Sequence, residues 1–286
     1  MKLSSLFRNG KTVLSFEVFP PKRTSPVETI YSTLSELKDL SPDFISVTYG
    51  AGGNAADTTT CDIAAYIKRE LGIPSAAHLT CVYSTRESIL VRLEQLRERG
   101  VENILALRGD INPEIPRLHE FEYASDLIRF IREHGDFHIS GACYPEGHLE
   151  AGTLTRDINN LKIKIDAGAE HLVSQLFFDN ALFHRFREML EIAGITVPVE
   201  AGIMPVTNKK QIERMVSMCG ASLPSKFTKM MQRYENNPEA LRDAGIAYAT
   251  DQIADLVSNG VDGIHLYTMN NPYVAGKISG NVRTLL

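Results

Sequence analysis

The sequence predicts an α/β fold, a single (β/α)8 TIM barrel with extra helices between strands 7 and 8. Three observations carry this expectation. Eight short β-rich runs alternate with helical patterns along the chain. Most of those runs are apolar at nearly every position, as strands covered on both faces are, and parallel sheets are the usual case. Each strand-plus-helix unit takes about 30 residues, the usual size of a βαβ unit. Eight units in succession favour closure, with helices outside. An open doubly wound sheet needs the same alternation and is the runner-up. Residues 1–286 read as one domain, with no linker, repeat or low-complexity tract.

The strands are expected at residues 12–18 (TVLSFEV), 43–49 (DFISVTY), 75–82 (SAAHLTCV) and 102–107 (ENILAL), then at 137–144 (FHISGACY), 171–178 (HLVSQLFF), 197–203 (VPVEAGI) and 262–268 (DGIHLYT). Helices fill the intervals. Residues 26–40 place Val27, Ile30, Leu34 and Leu37 at helical spacing. Residues 84–99 open with Ser84 and Glu87 in capping-box spacing and carry Ile89, Leu90, Leu93 and Leu96 on one face. Gly100 ends that helix, Gly168 ends one at 155–167, and Gly194 ends one at 180–193. Between Ile203 and Asp262 the rhythm breaks. Helices at 208–218, 224–235 and 238–259 replace the single one expected, which reads as an insertion on the catalytic face or as an interface element.

Composition bounds the function. The chain has 286 residues, is 43% hydrophobic and 23% charged, and carries a formal charge of −5, so it can bury a large core. No stretch gathers Lys and Arg on one face, which argues against nucleic acid as a partner. Cys61, Cys81, Cys143 and Cys219 are scattered with no CxxC pair, so no zinc or iron–sulfur site is expected and the thiols are expected reduced. The first residues lack an apolar run of signal-peptide length, and no segment approaches the ~20 apolar residues of a membrane span. A cytoplasmic location without membrane association is therefore expected. No Ser-His-Asp order, P-loop or HExxH is present.

In barrels the active site is built at the C-terminal ends of the strands. Polar groups fall there on seven of the eight strands: Glu17; Thr48 and Tyr49; His78 and Thr80; Arg108 to Asp110; Tyr144 with Glu146 and His148; Gln175; and His265, Tyr267 and Thr268. Glu17 lies among Phe16, Val18 and Phe19 before a Pro-Pro step. A carboxyl in apolar surroundings loses solvation, so its pKa is expected to rise and suit it to act as an acid. The plainer alternative is a strand-end ion pair with Lys22 or Arg23. Asp110 reads either as a turn residue or as a fixed negative charge beside a cofactor. Arg108 reads as a phosphate partner or as the partner of Asp110. Residues 50–55 (GAGGNA) match a relaxed dinucleotide fingerprint, but the next strand ends without the acidic residue that motif needs, so a tight glycine-rich turn is the better reading. His78 and His148 lack metal-ligand spacing and read as hydrogen-bonding residues.

The ordered motifs at residues 15–22 (SFEVFPPK), 46–51 (SVTYGA), 78–81 (HLTC), 105–110 (LALRGD), 123–127 (YASDL), 144–148 (YPEGH), 166–169 (DAGA), 175–179 (QLFFD), 202–206 (GIMPV) and 265–270 (HLYTMN) strongly resemble the methylenetetrahydrofolate reductase family, in its compact prokaryotic form. The resemblance implies a barrel that binds FAD non-covalently. It implies reduction of 5,10-methylenetetrahydrofolate to 5-methyltetrahydrofolate, with electrons from NADH or NADPH by a ping-pong route. It also implies Glu17 as general acid opening the folate ring to a 5-iminium cation, and Asp110 as the charge that stabilises that cation and lowers the flavin potential. Gln175 and Tyr267, with Glu17 and Asp110, would contact substrate. Flavin contacts would come from Thr48, Tyr49, Ala51, His78, Arg108, Gly109, Asp110, Tyr123, Ala124, Tyr144, His148, Asp157, Asn160 and Lys164, with Arg108 and Lys164 on the pyrophosphate. Two positions depart from the better-known members: Asn271 stands where they have Arg, and Lys209 where some have Phe. These leave open a protein electron donor in place of NAD(P)H. Another flavin barrel dehydrogenase is a further alternative, and homo-oligomerisation is left open.

Overall fold

The computed structural model describes residues 1–8, 10–21, 26, 28–49 and 58–286, with Gln211 described in its backbone only. Parallel strands close into a barrel in chain order. They are β1 (Val13–Val18), β2 (Phe44–Val47), β3 (Ser75–Thr80), β4 (Asn103–Leu107), β5 (His138–Cys143), β6 (His171–Ser174), β7 (Val199–Ile203) and β8 (Gly263–Tyr267). The ring closes between β8 and β1, with Ser15 beside His265 and Glu17 beside Tyr267. Around it lie α1 (Glu28–Lys38), α2 (Thr59–Arg69), α3 (Arg86–Glu98), α4 (Ala124–His134), α5 (Leu154–Asp166), α6 (Asn180–Ile192), α7 (Lys209–Cys219), α8 (Ser225–Tyr234), α9 (Pro238–Ser258) and α10 (Pro272–Val282). The closed barrel with extra helices between β7 and β8 is the expected architecture.

β1 shows how the sequence divides inside from outside. Leu14, Phe16 and Val18 join the main apolar cluster with Ile30, Leu34 and Leu37 of α1. Each such fully buried side chain stabilises by about 1.5–3 kcal/mol. Ser15 and Glu17 alternate with them and face the barrel axis, where they meet Glu200 of β7 and His78 of β3. The interior is crowded enough to need glycine at two places. A Cβ on Gly202 would stand 2.2 Å from the Ser174 carbonyl oxygen and 2.7 Å from the Tyr267 hydroxyl. One on Gly263 would stand 2.6 Å from Glu200 Cγ.

A 3₁₀ turn at Leu3–Arg8 closes the N-terminal end of the barrel, an element the polar N-terminal sequence does not announce. Leu3, Val13, Phe44 and Ala76 cluster there with Leu6 and Phe7 against them. The Phe7 ring lies 4.6 Å from that of His171.

The insertion covers the opposite end. α9 serves as the barrel's own helix, packed on α10, α6 and β7. α7 and α8 build a second apolar cluster over the ends of β6 to β8, joining Ile212, Phe227 and Met231 to Leu176, Phe178, Met204 and Val206. The Ser222 N–H, between α7 and α8, donates to both carboxylate oxygens of Glu146, at 3.0 and 3.1 Å. Of the two expectations for this segment, placement on the rim is the one observed.

Two local expectations are corrected. The cap of α3 is Thr85, whose hydroxyl accepts from Ser88 N–H at 3.1 Å; Ser84 instead donates to the Thr80 carbonyl. Thr85 holds the extended backbone an N-cap requires, which moves the start one residue on. The sixth strand stops at Ser174, short of residue 178, because the Gln175 side-chain oxygen takes the Leu176 N–H at 2.8 Å and turns the chain onto the rim. Among the described residues, no helix is long and apolar enough to cross a membrane.

Candidate active site

Glu17 sits at the end of β1, and its backbone is fixed from β8. The Thr268 hydroxyl donates to the Glu17 carbonyl at 2.6 Å. Asn270 then holds Phe19 reciprocally: Phe19 N–H donates to Asn270 Oδ1 at 3.1 Å, and Asn270 Nδ2 donates to the Phe19 carbonyl at 2.8 Å. The Glu17 carboxyl projects across the axis. Its Oε2 lies 3.6 Å from His78 Nε2 and 3.6 Å from His265 Nε2. Both histidines are buried, while the Glu17 side chain keeps 20% exposure toward the rim. Lys22 and Arg23, its alternative partners by sequence, lie outside the described residues.

The sequence predicts a raised pKa for Glu17, and the structure reverses the direction. Desolvation is the largest single influence and does push upward. The polar contact with His265 and the charges of His78 and His265 together pull further down, so the carboxyl sits below the ordinary glutamate value. His78 responds inversely: burial drives its pKa down to about 4, against the pull of Glu17. His78 is thus neutral at pH 7 and stabilises the Glu17 anion only in acid.

A second group gathers past β4 and β5. Arg108 grips Glu150 with two parallel bonds, Nη1 to Oε2 at 2.6 Å and Nη2 to Oε1 at 2.7 Å. Its partner among the described residues is therefore Glu150, not Asp110. Lys164 Nζ donates to the Ala142 carbonyl at 2.8 Å and lies 5.9 Å from the Tyr144 ring centre. Burial lowers the Lys164 pKa, and the facing charge of Arg108 adds to that fall. Asp157, on the first turn of α5, accepts the His148 N–H at 3.1 Å. The His148 ring meets Tyr144 edge-on at 4.8 Å. Asn160 and Lys164 share the Asp157 face of α5 by helical spacing, and Asn160 is exposed.

The remaining expected residues ring these two groups. Asp110 is exposed at the end of Arg108-Gly109, close enough to Tyr144 and Cys219 for its charge to raise both pKa values. Tyr267 donates its hydroxyl to the Ser174 carbonyl at 2.7 Å, next to Gln175. Thr48 and Tyr49 follow β2; Thr60 of α2 donates to the Thr48 carbonyl at 3.0 Å, and Arg92 lies 5.8 Å over the Tyr49 ring. Tyr123 and Ala124 open α4, where Asp126 accepts the Tyr123 N–H at 3.0 Å. Ala51 and the glycine-rich run 50–55 fall outside the described residues, apart from their flanks.

The two departures also have structural uses. Asn271 caps α10, its Oδ1 accepting Val274 N–H at 3.2 Å. Lys209 pairs with Glu235 across α7 and α8. Neither position was read that way from sequence. Ser15, Ser46, Glu150 and Glu200 were missed altogether, and His265 was noticed on the rim without a role.

The rim geometry meets its relatives at this point. The family model described as methylenetetrahydrofolate reductase matches residues 2–282. The chain belongs to the methylenetetrahydrofolate reductase family. Similar proteins include the 5,10-methylenetetrahydrofolate reductase of Pectobacterium carotovorum, 40% identical over 91% of this chain and 87% of that protein. That of Escherichia coli K12 is 37% identical over the same shares. The methylenetetrahydrofolate reductase (NADH) 1 of Arabidopsis thaliana is 36% identical over 94% of this chain but 48% of its own length. Like these members of the methylenetetrahydrofolate reductase family, the chain is an enzyme. Among solved structures, a Clostridium thermocellum protein that binds two copies of 5-methyl-5,6,7,8-tetrahydrofolic acid superposes over 99% of both chains, with TM-score 0.69 and 13% identity. At that identity the likeness bears on the fold alone.

Proposed function

We propose that this chain reduces 5,10-methylenetetrahydrofolate to 5-methyltetrahydrofolate with bound FAD, in a ping-pong cycle fed by NAD(P)H, as one catalytic unit in the cytoplasm. The observation that carries the reading is the Glu17 carboxyl, held by β8 at the rim within 3.6 Å of two buried histidines. FAD supplies the hydride carrier. Arg108 and Lys164 suit its diphosphate: two facing cations repel one another, and a dianion between them relieves that repulsion. The pairing of Arg108 with Glu150 says what a phosphate replaces, since a two-pronged carboxylate contact has the same geometry.

Glu17 acts as general acid toward the folate ring nitrogen. In the free protein its pKa is low, but a ligand over the rim removes its remaining water. Desolvation is already the largest influence, and His78 carries no charge at pH 7, so covering the rim drives a proton onto the carboxyl. Asp110, exposed at the rim, stabilises the cation that ring opening creates. Gln175 and Tyr267 orient the folate. A second reading keeps the flavin chemistry but takes electrons from a partner protein; the engagement of Asn271 and Lys209 within the fold favours it at the donor side.

The test is an absorbance spectrum of the purified chain after incubation with FAD, followed by anaerobic addition of NAD(P)H and then of methylenetetrahydrofolate. The expected record is a flavin band that bleaches with donor and returns with folate. Bleaching by dithionite alone selects the partner protein. A flavin band indifferent to folate overturns the substrate, and no flavin band overturns the cofactor.

A further inference from the structure

The barrel interior behind Glu17 is polar where a core of this kind is normally aliphatic. Ser15, Glu200 and His265 are each 0% exposed. They are linked in line. Ser15 Oγ lies 2.8 Å from Glu200 Oε1 and 2.6 Å from His265 Nδ1. His265 Nε2 then faces the rim, 3.6 Å from Glu17 Oε2 and 3.4 Å from Ser46 Oγ. Strand register builds this line, since Ser15 and His265 are direct neighbours and Glu200 neighbours Gly263, which leaves it space.

Hydrogen-bond polarity gives the line a direction. A serine hydroxyl has one proton to donate. Ser15 gives that proton to Glu200 Oε1. Ser15 Oγ can then only accept from His265, which places a proton on Nδ1. In that tautomer Nε2 carries the lone pair, on the side of Glu17 and Ser46. The Phe44 ring, stacked 6.2 Å away, and the edge of Tyr267, 5.4 Å away, hold the imidazole in that plane.

We infer that His265 Nε2 is the proton-accepting neighbour of Glu17, 3.6 Å away, and that Ser15 and Glu200 are positioning residues that fix the His265 tautomer needed for it. The inference rests on the reading of Glu17 as the general acid. In the loaded site the Glu17 proton passes to the folate nitrogen, so an O–H bond breaks and an N–H bond forms on substrate. Glu17 is left as carboxylate and His265 as the neutral Nδ1–H form, and solvent at the rim returns one proton before the next turnover. Other titratable groups face this pair: His78 on β3 and Tyr267 on β8 toward Glu17, and His171 on β6 and Asp43 beside β2 toward Glu200.

The test is nitrogen-15 NMR of the histidine side chains across pH in the protein without folate, which depends on no activity. Wild type is expected to show His265 protonated on Nδ1 at neutral pH. Ser15→Ala should give a mixture of tautomers, and Glu17→Gln should change the Nε2 chemical shift of His265. An Nε2–H tautomer in wild type, or an Nε2 shift unmoved by Glu17→Gln, overturns the proposal. With folate, Glu200→Gln should shift the pH profile of turnover by about one unit while FAD affinity stays the same; should that variant not fold, Ser15→Ala carries the same expectation. A lower melting temperature with an unmoved pH profile would make Glu200 merely structural and overturn its positioning role. Absence of folate turnover in wild type would overturn the reading of the function, while the tautomer and the Nε2 shift still judge the pair.

Discussion

The Glu17 side of the rim and the Arg108 side are built differently. Around Glu17, side chains come from strands, and the groups that set its charge, His78 and His265, are 6% and 0% exposed. Around Arg108, they come from the segments past β4 and β5 and from one face of α5; Tyr123 is 64% exposed and Glu150 is 55% exposed. The first region has its electrostatics set inside the protein. The second has cations with replaceable partners. Proton chemistry tolerates little reorganisation, because a misplaced acid loses its pKa match along with its reach. A cofactor site needs partners that can be exchanged when the anion arrives. On the proposed reading, the chemistry falls to strands and the binding to loops.

Breaking the second region alone should have the largest effect. Replacing Arg108 and Lys164 together with Met removes two charge-assisted contacts worth about 1.5–3 kcal/mol each. FAD affinity, read by fluorescence titration, should fall by roughly a hundredfold or more while the melting temperature changes little. A loss below threefold would place the diphosphate elsewhere.

The buried histidines of the barrel interior, His78 of the first region among them, should reveal themselves in acid. His78 and His138 are both held neutral by burial, each pKa falling to about 4. The unfolded chain binds more protons than the folded one between the ordinary histidine value and about pH 4, so stability falls as pH drops through that window. The contribution is about 2 kcal/mol per residue at pH 5. Glu17, with a lowered pKa, adds in the same direction, its contribution being lost as pH falls through its folded value. Urea midpoints at pH 7 and pH 5 measure the histidine part, since the Glu17 part is lost only below pH 4.5, and replacing His138 by Phe should flatten the slope. A midpoint flat between the two would mean that the buried histidines are hydrated.

The smallest effect sharpens the strand side. Gly202→Ala pushes against the Ser174 carbonyl and the Tyr267 hydroxyl, so a loss of roughly 1–3 kcal/mol is expected in thermal unfolding, with FAD affinity unchanged. A variant as stable as wild type would show that the β6 backbone at Ser174 and the Tyr267 ring both yield at little cost.

The barrel was legible because its mantle obeys simple rules. Strands covered on both faces read as apolar runs, and helices carried their stripes and stop glycines. The rim residues were legible because strand ends are known positions once the strands are placed. What stayed hidden depends on contacts between distant segments. Glu200 and His265 stand in apolar strands where a polar residue is costly, and that inconsistency was the available signal. It could not say that Ser15 would meet both. The pKa of Glu17 was misjudged for the same reason: Phe16, Val18 and Phe19 are its neighbours in sequence, but Phe16 and Val18 face the helices and His78 and His265 face the carboxyl. Glu150, the partner of Arg108, lies on a short 3₁₀ turn with no sequence signature.

The separation of the two regions is tested most directly by following both half-reactions in Glu17→Gln. Reduction of bound flavin by donor should stay within about threefold of wild type. Reoxidation by methylenetetrahydrofolate should slow by about a hundred- to ten-thousandfold, the range a positioned general acid contributes. Equal loss in both half-reactions, or folate reoxidation at the wild-type rate, would contradict the assignment of the proton chemistry to Glu17 and of cofactor binding to the Arg108 side.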